Sequence, residues 1–313
     1  MKVIHDPADL HAGSRPVCAA IGVFDGVHLG HQRVLLQTIA DAAQCHALSV
    51  AVTFDRHPNS VVAPDSVPPM IYPPARNLEV IASLGIDAAC VIRFDSGFSR
   101  ISGEHFVRQL AGAFRPLKSV SVGRGFMFGY RRSGDVALLQ RLGGELGFTI
   151  HALPDVELAG QPVSSTRIRE AVRAGDFAAA GQMLGRPYSL RGPVIEGQHI
   201  GRKLGFPTAN IDVTGLLVPP TGVYVACARA GTAAWRAAVN IGHRPTVQSA
   251  DPQIHVEAHL LDFDGDLGGQ ELDLTLLKKL RDEQKFPSAE ALRAQITRDV
   301  EQARKYPQMP HSK

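Results

Sequence analysis

The chain has 313 residues, with 33 Lys and Arg against 30 Asp and Glu and a formal charge of +3. A positive balance this small and scattered excludes the electrostatic footprint of a nucleic-acid binder, and no apolar run reaches the roughly 18 residues that a membrane span needs. The opening "MKVIHDPADL" has no apolar signal core, so a cytoplasmic protein with small-molecule partners is expected, its oligomeric state left open.

The length favours two domains. Four cysteines, Cys18, Cys45, Cys90 and Cys227, lie far apart, form no CxxC pair and mostly have apolar neighbours. They read as buried, reduced thiols rather than a zinc site or a disulfide framework.

From Val17 to Phe54 the pattern is one βαβ unit: the apolar strand "VCAAIGVF", a glycine-rich turn, the periodic helix "HQRVLLQTIADAA" and the strand "LSVAVTF". The alternation continues through helix-like "RNLEVIASLG", "GEHFVRQLAGAF" and "GDVALLQRLGGELG", each followed by a strand-like run, "AACVIRF", "KSVSVG" and "FTIHAL". Such alternation predicts an α/β domain with a parallel sheet covered on both faces. After about Pro187 the texture becomes short alternating strands, "GVYVACARA", "AAVNIG", "HVEAHLLDF" and "ELDLTLL", separated by Gly, Pro and Asp. These predict antiparallel β, most simply a small barrel. The tail "SAEALRAQITRDVEQARKY" predicts an amphipathic helix capped by Ser288. The domains are therefore drawn as 1–185 and 186–313, meeting near "LGRPYSLRG" after a helical linker.

In a doubly wound sheet the turn after the first strand brings backbone N–H groups and a helix N-terminus toward anions. "GVFDGVHLGH", Gly22 to His31, occupies that turn. Its glycines would let backbone approach phosphate, and His28 and His31 would offer N–H donors to charge developing on a transferred nucleotidyl group. By itself the pair suits a capped helix with surface histidines better than a phosphate site, zinc lacks an obvious third ligand, and there is no P-loop or GxGxxG spacing. "VSSTRIREAV", Val163 to Val172, is a second phosphate-suited helix start: Ser164, Ser165 and Thr166 can cap it, and Arg167 or Arg169 can reach phosphate.

The HxGH turn followed by SSTxIR resembles the nucleotidylyltransferase superfamily. "GVFDGVHLGHQ", "VTFDRHP", "FVRQL", "VGRGFMFGYRRSGD" and "VSSTRIR", in this order, narrow the resemblance to bacterial FAD synthetases. That resemblance implies that His28 and His31 act on ATP phosphates beside Gly22, Phe24 and Gly30. It implies that Ser165, Thr166 and Arg169 hold the triphosphate, and that Phe54, His57 and Pro58 lie near the flavin. Gly125 stands where this family commonly has Asp or Asn, and Met127 where it has a polar residue, both at the flavin.

In the second half, "GRKLGFPTANI" offers glycines, Gly201 among them, and Lys203 as a phosphate-cradling loop. Thr208 and Asn210, two apart in an extended piece, would present neutral oxygens to Mg²⁺ on one side. In "HVEAHLLDF" the apolar residues Val256, Ala258 and Leu260 alternate with His255, Glu257 and His259. Glu257 is either an ordinary solvent-facing residue or, at a barrel mouth, a base for a hydroxyl attacking ATP. "GRKLGFPTANI", "GVY", "NIGHRPTV", "VEAHLLDFDGDL" and "KKLRDEQKF" resemble, in order, the riboflavin kinases fused behind the adenylyltransferase domain in many bacteria. That resemblance implies a six-stranded barrel, Mg²⁺ on Thr208 and Asn210, Glu257 as catalytic base, and Arg281 in a loop over the flavin. Val247 replaces the Phe usual after "RPT", and Gly268 the Tyr often found in "DLYG".

The expected protein is thus a bifunctional transferase acting on riboflavin, FMN and ATP with Mg²⁺. Its alternatives are a riboflavin kinase with a weak or inactive adenylyltransferase domain and, from another class, a flavin- or nucleotide-binding sensor without turnover.

Overall fold

A computed structural model describes residues 1–10, 13, 15–197, 200–243 and 254–307, without the side chains of Ile200 and Lys203. In chain order the elements of the first half are β1 (Lys2–Ile4), β2 (Val17–Ile21), α1 (Leu29–Cys45), β3 (Leu48–Phe54), α2 (Asn59–Val62), α3 (Pro74–Ser83), β4 (Ala88–Ile92), α4 (Gly103–Ala113), β5 (Leu117–Gly123), α5 (Val136–Leu146) and β6 (Thr149–Leu153). A small ribbon of β7 (Glu157–Leu158) and β8 (Gln161–Pro162) precedes α6 (Ser165–Arg173) and α7 (Phe177–Leu184). The remainder is β9 (Ser189–Ile195), α8 (Ile200–Lys203), β10 (Ala209–Ile211), β11 (Gly222–Ala230), β12 (Ala233–His243), β13 (Ile254–Leu260), β14 (Glu271–Arg281) and α9 (Ala289–Lys305).

The first sheet is parallel, in the order β1-β4-β3-β2-β5-β6. β2 is buried at every position, as a strand covered on both faces should be. Its Val17, Ala19 and Ile21 pack with Phe106, Leu110, Leu139 and Leu142 of α4 and α5. Ala20, on the opposite face, joins Val34, Leu35, Val80 and Ile81 of α1 and α3. From β2 the chain runs one way to β3 and β4, then returns to place β5 on the other side. The carboxyl ends of β2 and β5 therefore flank the switch point at which such sheets bind ligands.

The second sheet is antiparallel and closes on itself in the order β10-β13-β12-β11-β14-β9. Val256, Ala258 and Leu260 alternate with Ala237, Val239 and Ile241 and with Leu272, Leu274 and Leu276 as its buried filling. α9 covers one flank, where Ala303 packs with Val225 and Leu261, and the Ser288 hydroxyl caps it from 3.2 Å as expected.

The described chain forms two compact units, Met1–Ser165 with Met183–Gly185, and Thr166–Gln182 with Arg186–Lys313. Most of α6 and α7, expected within the domain 1–185, thus packs with the second unit. Phe177 stacks on Tyr188 with ring centroids 6.1 Å apart and lies 5.8 Å from Tyr224. Cys18 and Cys90 are buried as expected, whereas Cys45 is exposed at the end of α1 and Cys227 is partly exposed. Burial pushes the Cys90 thiol up to about 12.

Candidate functional site

β2 ends where Gly22 begins the turn, and the turn is held from a distance. The buried Asp25 carboxylate accepts from the backbone N–H of Ile71 at 3.0 and 3.1 Å, while the Asn77 amide oxygen accepts from Gly26 N–H at 3.0 Å. Gly26 has φ +76°, and a Cβ there would press on Ile71 at 3.0 Å. Both facts favour glycine. The clamp sets the entry of α1, whose N-cap is His28, with Nδ1 accepting from His31 N–H at 3.3 Å.

The rings of His28 and His31 stack with centroids 3.6 Å apart and planes 18° apart. Phe24 meets His31 edge-on at 5.4 Å. Gly30 makes room for the stack, since a Cβ there would lie 3.1 Å from the His28 ring. Enclosure first, and the adjacent His28 second, hold the His31 imidazole well below its ordinary value. Its Nδ1 is enclosed with no hydrogen-bond partner, which fits a site that awaits a polar ligand.

The second motif reaches the same turn: the Ser165 hydroxyl donates to the Asp25 carbonyl at 3.2 Å. Residues 140 apart in sequence therefore meet at the carboxyl end of β2. Thr166 and Arg169 follow in α6, within the second unit, and Arg169 is buried.

The residues expected at a flavin lie at neighbouring strand ends. Phe54 closes β3 and packs edge-on against Phe94 at 5.3 Å. His57 Nδ1 accepts from Asn59 N–H at 3.1 Å, and Pro58 leads into α2. Phe24, Phe54 and His57 line a crevice of about 40 Å³, far below the several hundred Å³ of an ordinary ligand pocket. Gly125 and Met127 occupy the turn after β5. A Cβ at Gly125 would meet nothing within 4 Å, and Met127 is 46% exposed.

In the barrel, Glu257 of β13 sits in register opposite Asn210 of β10 on one side and Asn240 of β12 on the other. Paired residues of adjacent strands project to the same face, so Glu257 is flanked by two amides on the face away from the barrel filling. Thr208 and Asn210 line a cavity of about 590 Å³ together with Glu196, Arg202, Asp264 and Asp266. The Asn210 amide lies where a Cβ on Gly197 would stand. A hydroxyl and an amide carbonyl on one cavity wall are hard neutral oxygens, a donor set that suits Mg²⁺.

Two expectations are corrected here. "GRKL" is not an open loop but the short helix α8, followed by Phe206 N–H donating to the Gly201 carbonyl at 2.8 Å. A Cβ at Gly201 would collide with the Phe206 carbonyl, so this glycine permits a tight chain reversal; the side chain of Lys203 is outside the described residues. Arg281 is the last residue of β14 rather than a loop residue, and its guanidinium grips Asp299 of α9 through Nε at 3.0 Å and Nη2 at 2.8 Å. Val247 lies outside the described residues; Gly268 lines the cavity.

The sequence pattern gave no role to Asn77, 51 positions from the turn it holds, nor to His259, whose Nδ1 lies 2.8 Å from the Pro207 carbonyl. His259 was visible in the polar alternation of its strand; Asn77 had no local signal.

The sequence model of the FAD synthetase family matches residues 11–167, and that of riboflavin kinase residues 184–307. The chain is 38% identical over 304 residues to a bifunctional riboflavin kinase/FMN adenylyltransferase of Pseudomonas fluorescens, covering 97% of each. To the protein so described from Escherichia coli K12 it is 37% identical over 309 residues, covering 98% of each. A solved structure from Streptococcus pneumoniae, described as a macrolide-efflux protein, superposes with a TM-score of 0.82 at 28% identity, over 97% of this chain and 99% of that one. Among the described residues of this chain, no helix is long and apolar enough to cross a membrane.

Proposed function

This chain belongs to the bifunctional riboflavin kinase/FMN adenylyltransferase family, and from that membership we propose that it carries out both reactions, riboflavin to FMN and FMN to FAD. Residues 186–313 are assigned to the kinase and 1–185 to the adenylyltransferase, with riboflavin, FMN and ATP as its partners. The four free cysteines suit the reducing cytoplasm.

In the kinase reaction Glu257 accepts the proton of the riboflavin primary hydroxyl as its oxygen attacks the γ-phosphorus of ATP and ADP leaves. Asn210 and Thr208 would hold Mg²⁺, which when bound neutralises charge on the phosphate oxygens. Gly201 and Lys203 belong to the nucleotide side, and Arg281 to the flavin side. In the adenylyltransferase reaction an FMN phosphate oxygen attacks the α-phosphorus of a further ATP, and pyrophosphate leaves. His28, His31 and the first N–H groups of α1 donate to that departing charge. Gly22 and Gly30 let the nucleotide approach beside Phe24, while Ser165, Thr166 and Arg169 hold its phosphates. Phe54, His57, Pro58, Gly125 and Met127 form the flavin side.

The observation that carries the reading is the convergence of distant motifs, Ser165 on the Asp25 carbonyl at 3.2 Å and Glu257 in register with Asn210. A riboflavin kinase with a weak adenylyltransferase is the second reading, favoured by the absence of a polar side chain at Gly125 and Met127. Chromatography of flavins after incubation with Mg²⁺-ATP and either riboflavin or FMN decides between them. FAD from both substrates is the expected result. FMN from riboflavin with no FAD from either would establish the second reading, and no product from either would leave a flavin- or nucleotide-binding sensor.

A further inference from the structure

β10 and β13 pair only over three rungs, Ala209 with Ala258, Asn210 with Glu257 and Ile211 with Val256. The ladder stops as it reaches Thr208, and the residue before that, Pro207, has no N–H to offer a strand partner. At this point a side chain takes over from the backbone: His259 Nδ1 lies 2.8 Å from the Pro207 carbonyl. A carbonyl only accepts, so Nδ1 carries the hydrogen, which fixes the ring's tautomer and orientation. The Phe206 ring stands edge-on to His259 at 5.5 Å and 88°, so the imidazole is seated by packing as well as by its hydrogen bond. The bond spans 52 positions of sequence and joins the segment bearing Thr208 and Asn210 to the strand bearing Glu257, two residues from that carboxylate.

We propose that His259 is a positioning residue of the kinase site, holding Thr208 and Asn210 at the height along β13 where their oxygens and the Glu257 carboxylate address one metal–nucleotide complex. It touches neither substrate nor metal and acts through Pro207. The inference rests on the kinase reading of the barrel, and its ligand class is a Mg²⁺-complexed nucleoside diphosphate or triphosphate.

The test compares His259→Ala, which deletes the donor, with His259→Asn, whose amide nitrogen can stand where Nδ1 stood. Calorimetry of the full-length protein with ADP, with and without Mg²⁺, reads the metal-dependent gain in affinity; loss of an outer-shell partner of this kind typically costs about tenfold or more. The expected result is that His259→Ala loses about tenfold of that gain, keeps its metal-free ADP affinity and unfolding midpoint, and is rescued by His259→Asn. In turnover the same variant raises KM for Mg²⁺-ATP while KM for riboflavin stays within about twofold, a split that general loosening of the barrel would not give. An identical metal-dependent gain in all three proteins overturns the proposal, as does an equal loss of metal-free and metal-dependent affinity that Asn fails to restore. Should the unaltered protein make no FMN, the kinase reading fails, while the calorimetric comparison still decides the role of His259.

Discussion

Glu257 is flanked in register by the amides of Asn210 and Asn240, at the centre of the constellation proposed to phosphorylate riboflavin. Glu257→Gln keeps the shape and removes the proposed base. FMN formation should fall by about 10²- to 10⁴-fold in kcat, with conversion of supplied FMN to FAD unaltered; an unchanged kcat at saturating riboflavin would take Glu257 out of the chemistry. His31 makes a prediction about stability. Its folded pKa lies well below the ordinary value of an unfolded histidine. Between those two values the unfolded chain binds the extra proton and the folded chain does not, so folding stability rises with pH there. The contribution is complete above about pH 6.5 and is lost as pH falls toward the folded value. Urea midpoints of the ligand-free protein between pH 7 and 5 should therefore fall more steeply than those of His31→Gln, and equal slopes would show that His31 is not held neutral by its surroundings.

At the level of elements, the long strands and helices were legible because each carries its own period. "LSVAVTF" is β3 residue for residue, and Ser288 caps α9 as its spacing implies. β1 was not legible: three residues show no alternation, and what makes them a strand is pairing with β4, more than 80 positions away. β9 escaped for a similar reason, since Pro193 interrupts its pattern and its partners, β14 and β10, lie elsewhere in the chain, whereas β10 was legible as the extended piece that bears Asn210. The candidate site was legible as residue types at strand and helix ends, but the contacts that aim them, from Asn77, Ser165 and His259, are long-range and leave no spacing behind. Arg281 shows the converse error, because a residue placed by resemblance in a flavin loop is held by an element the loop reading did not include. Its partner Asp299 is 5% exposed at the side chain and also accepts from Gln295 at 2.8 Å. Asp299→Ala leaves the Arg281 charge largely shielded from water and without its partner, and should destabilise the barrel by about 3 kcal/mol, read as a lowered urea midpoint. By contrast the Glu104, Arg108, Arg141 and Glu145 network on α4 and α5 is solvent-facing, and its removal should leave the midpoint nearly unchanged.

For the whole molecule the question is where one folding unit ends. The compositional break near residue 186 and the family boundary at 184 coincide, yet the compact units divide at Ser165, with Thr166–Gln182 belonging to the barrel side. The reason is an apolar seam at the start of the barrel. Tyr188 and Tyr224 are buried to within 1% and 0% exposure, and Phe177 of α7 lies against both rings. A fragment beginning at Arg186 exposes that seam, while one beginning at Thr166 keeps it covered. Burying a large side chain is worth about 1.5–3 kcal/mol, a substantial share of a small domain's 5–15 kcal/mol stability. Fragment 166–313 should therefore unfold cooperatively at a clearly higher temperature than 186–313, and in the full chain Phe177→Ala should lower the barrel's midpoint while leaving that of the parallel-sheet unit unchanged. If the two fragments unfold together, the seam contributes nothing to the barrel's stability. The division matters for chemistry because α6 starts at Ser165, on the Asp25 carbonyl, and continues through residues of the second unit. A cut at 186 would therefore keep the "VSSTRIR" segment whole and strip the barrel of Phe177, whereas a cut at 166 would do the reverse.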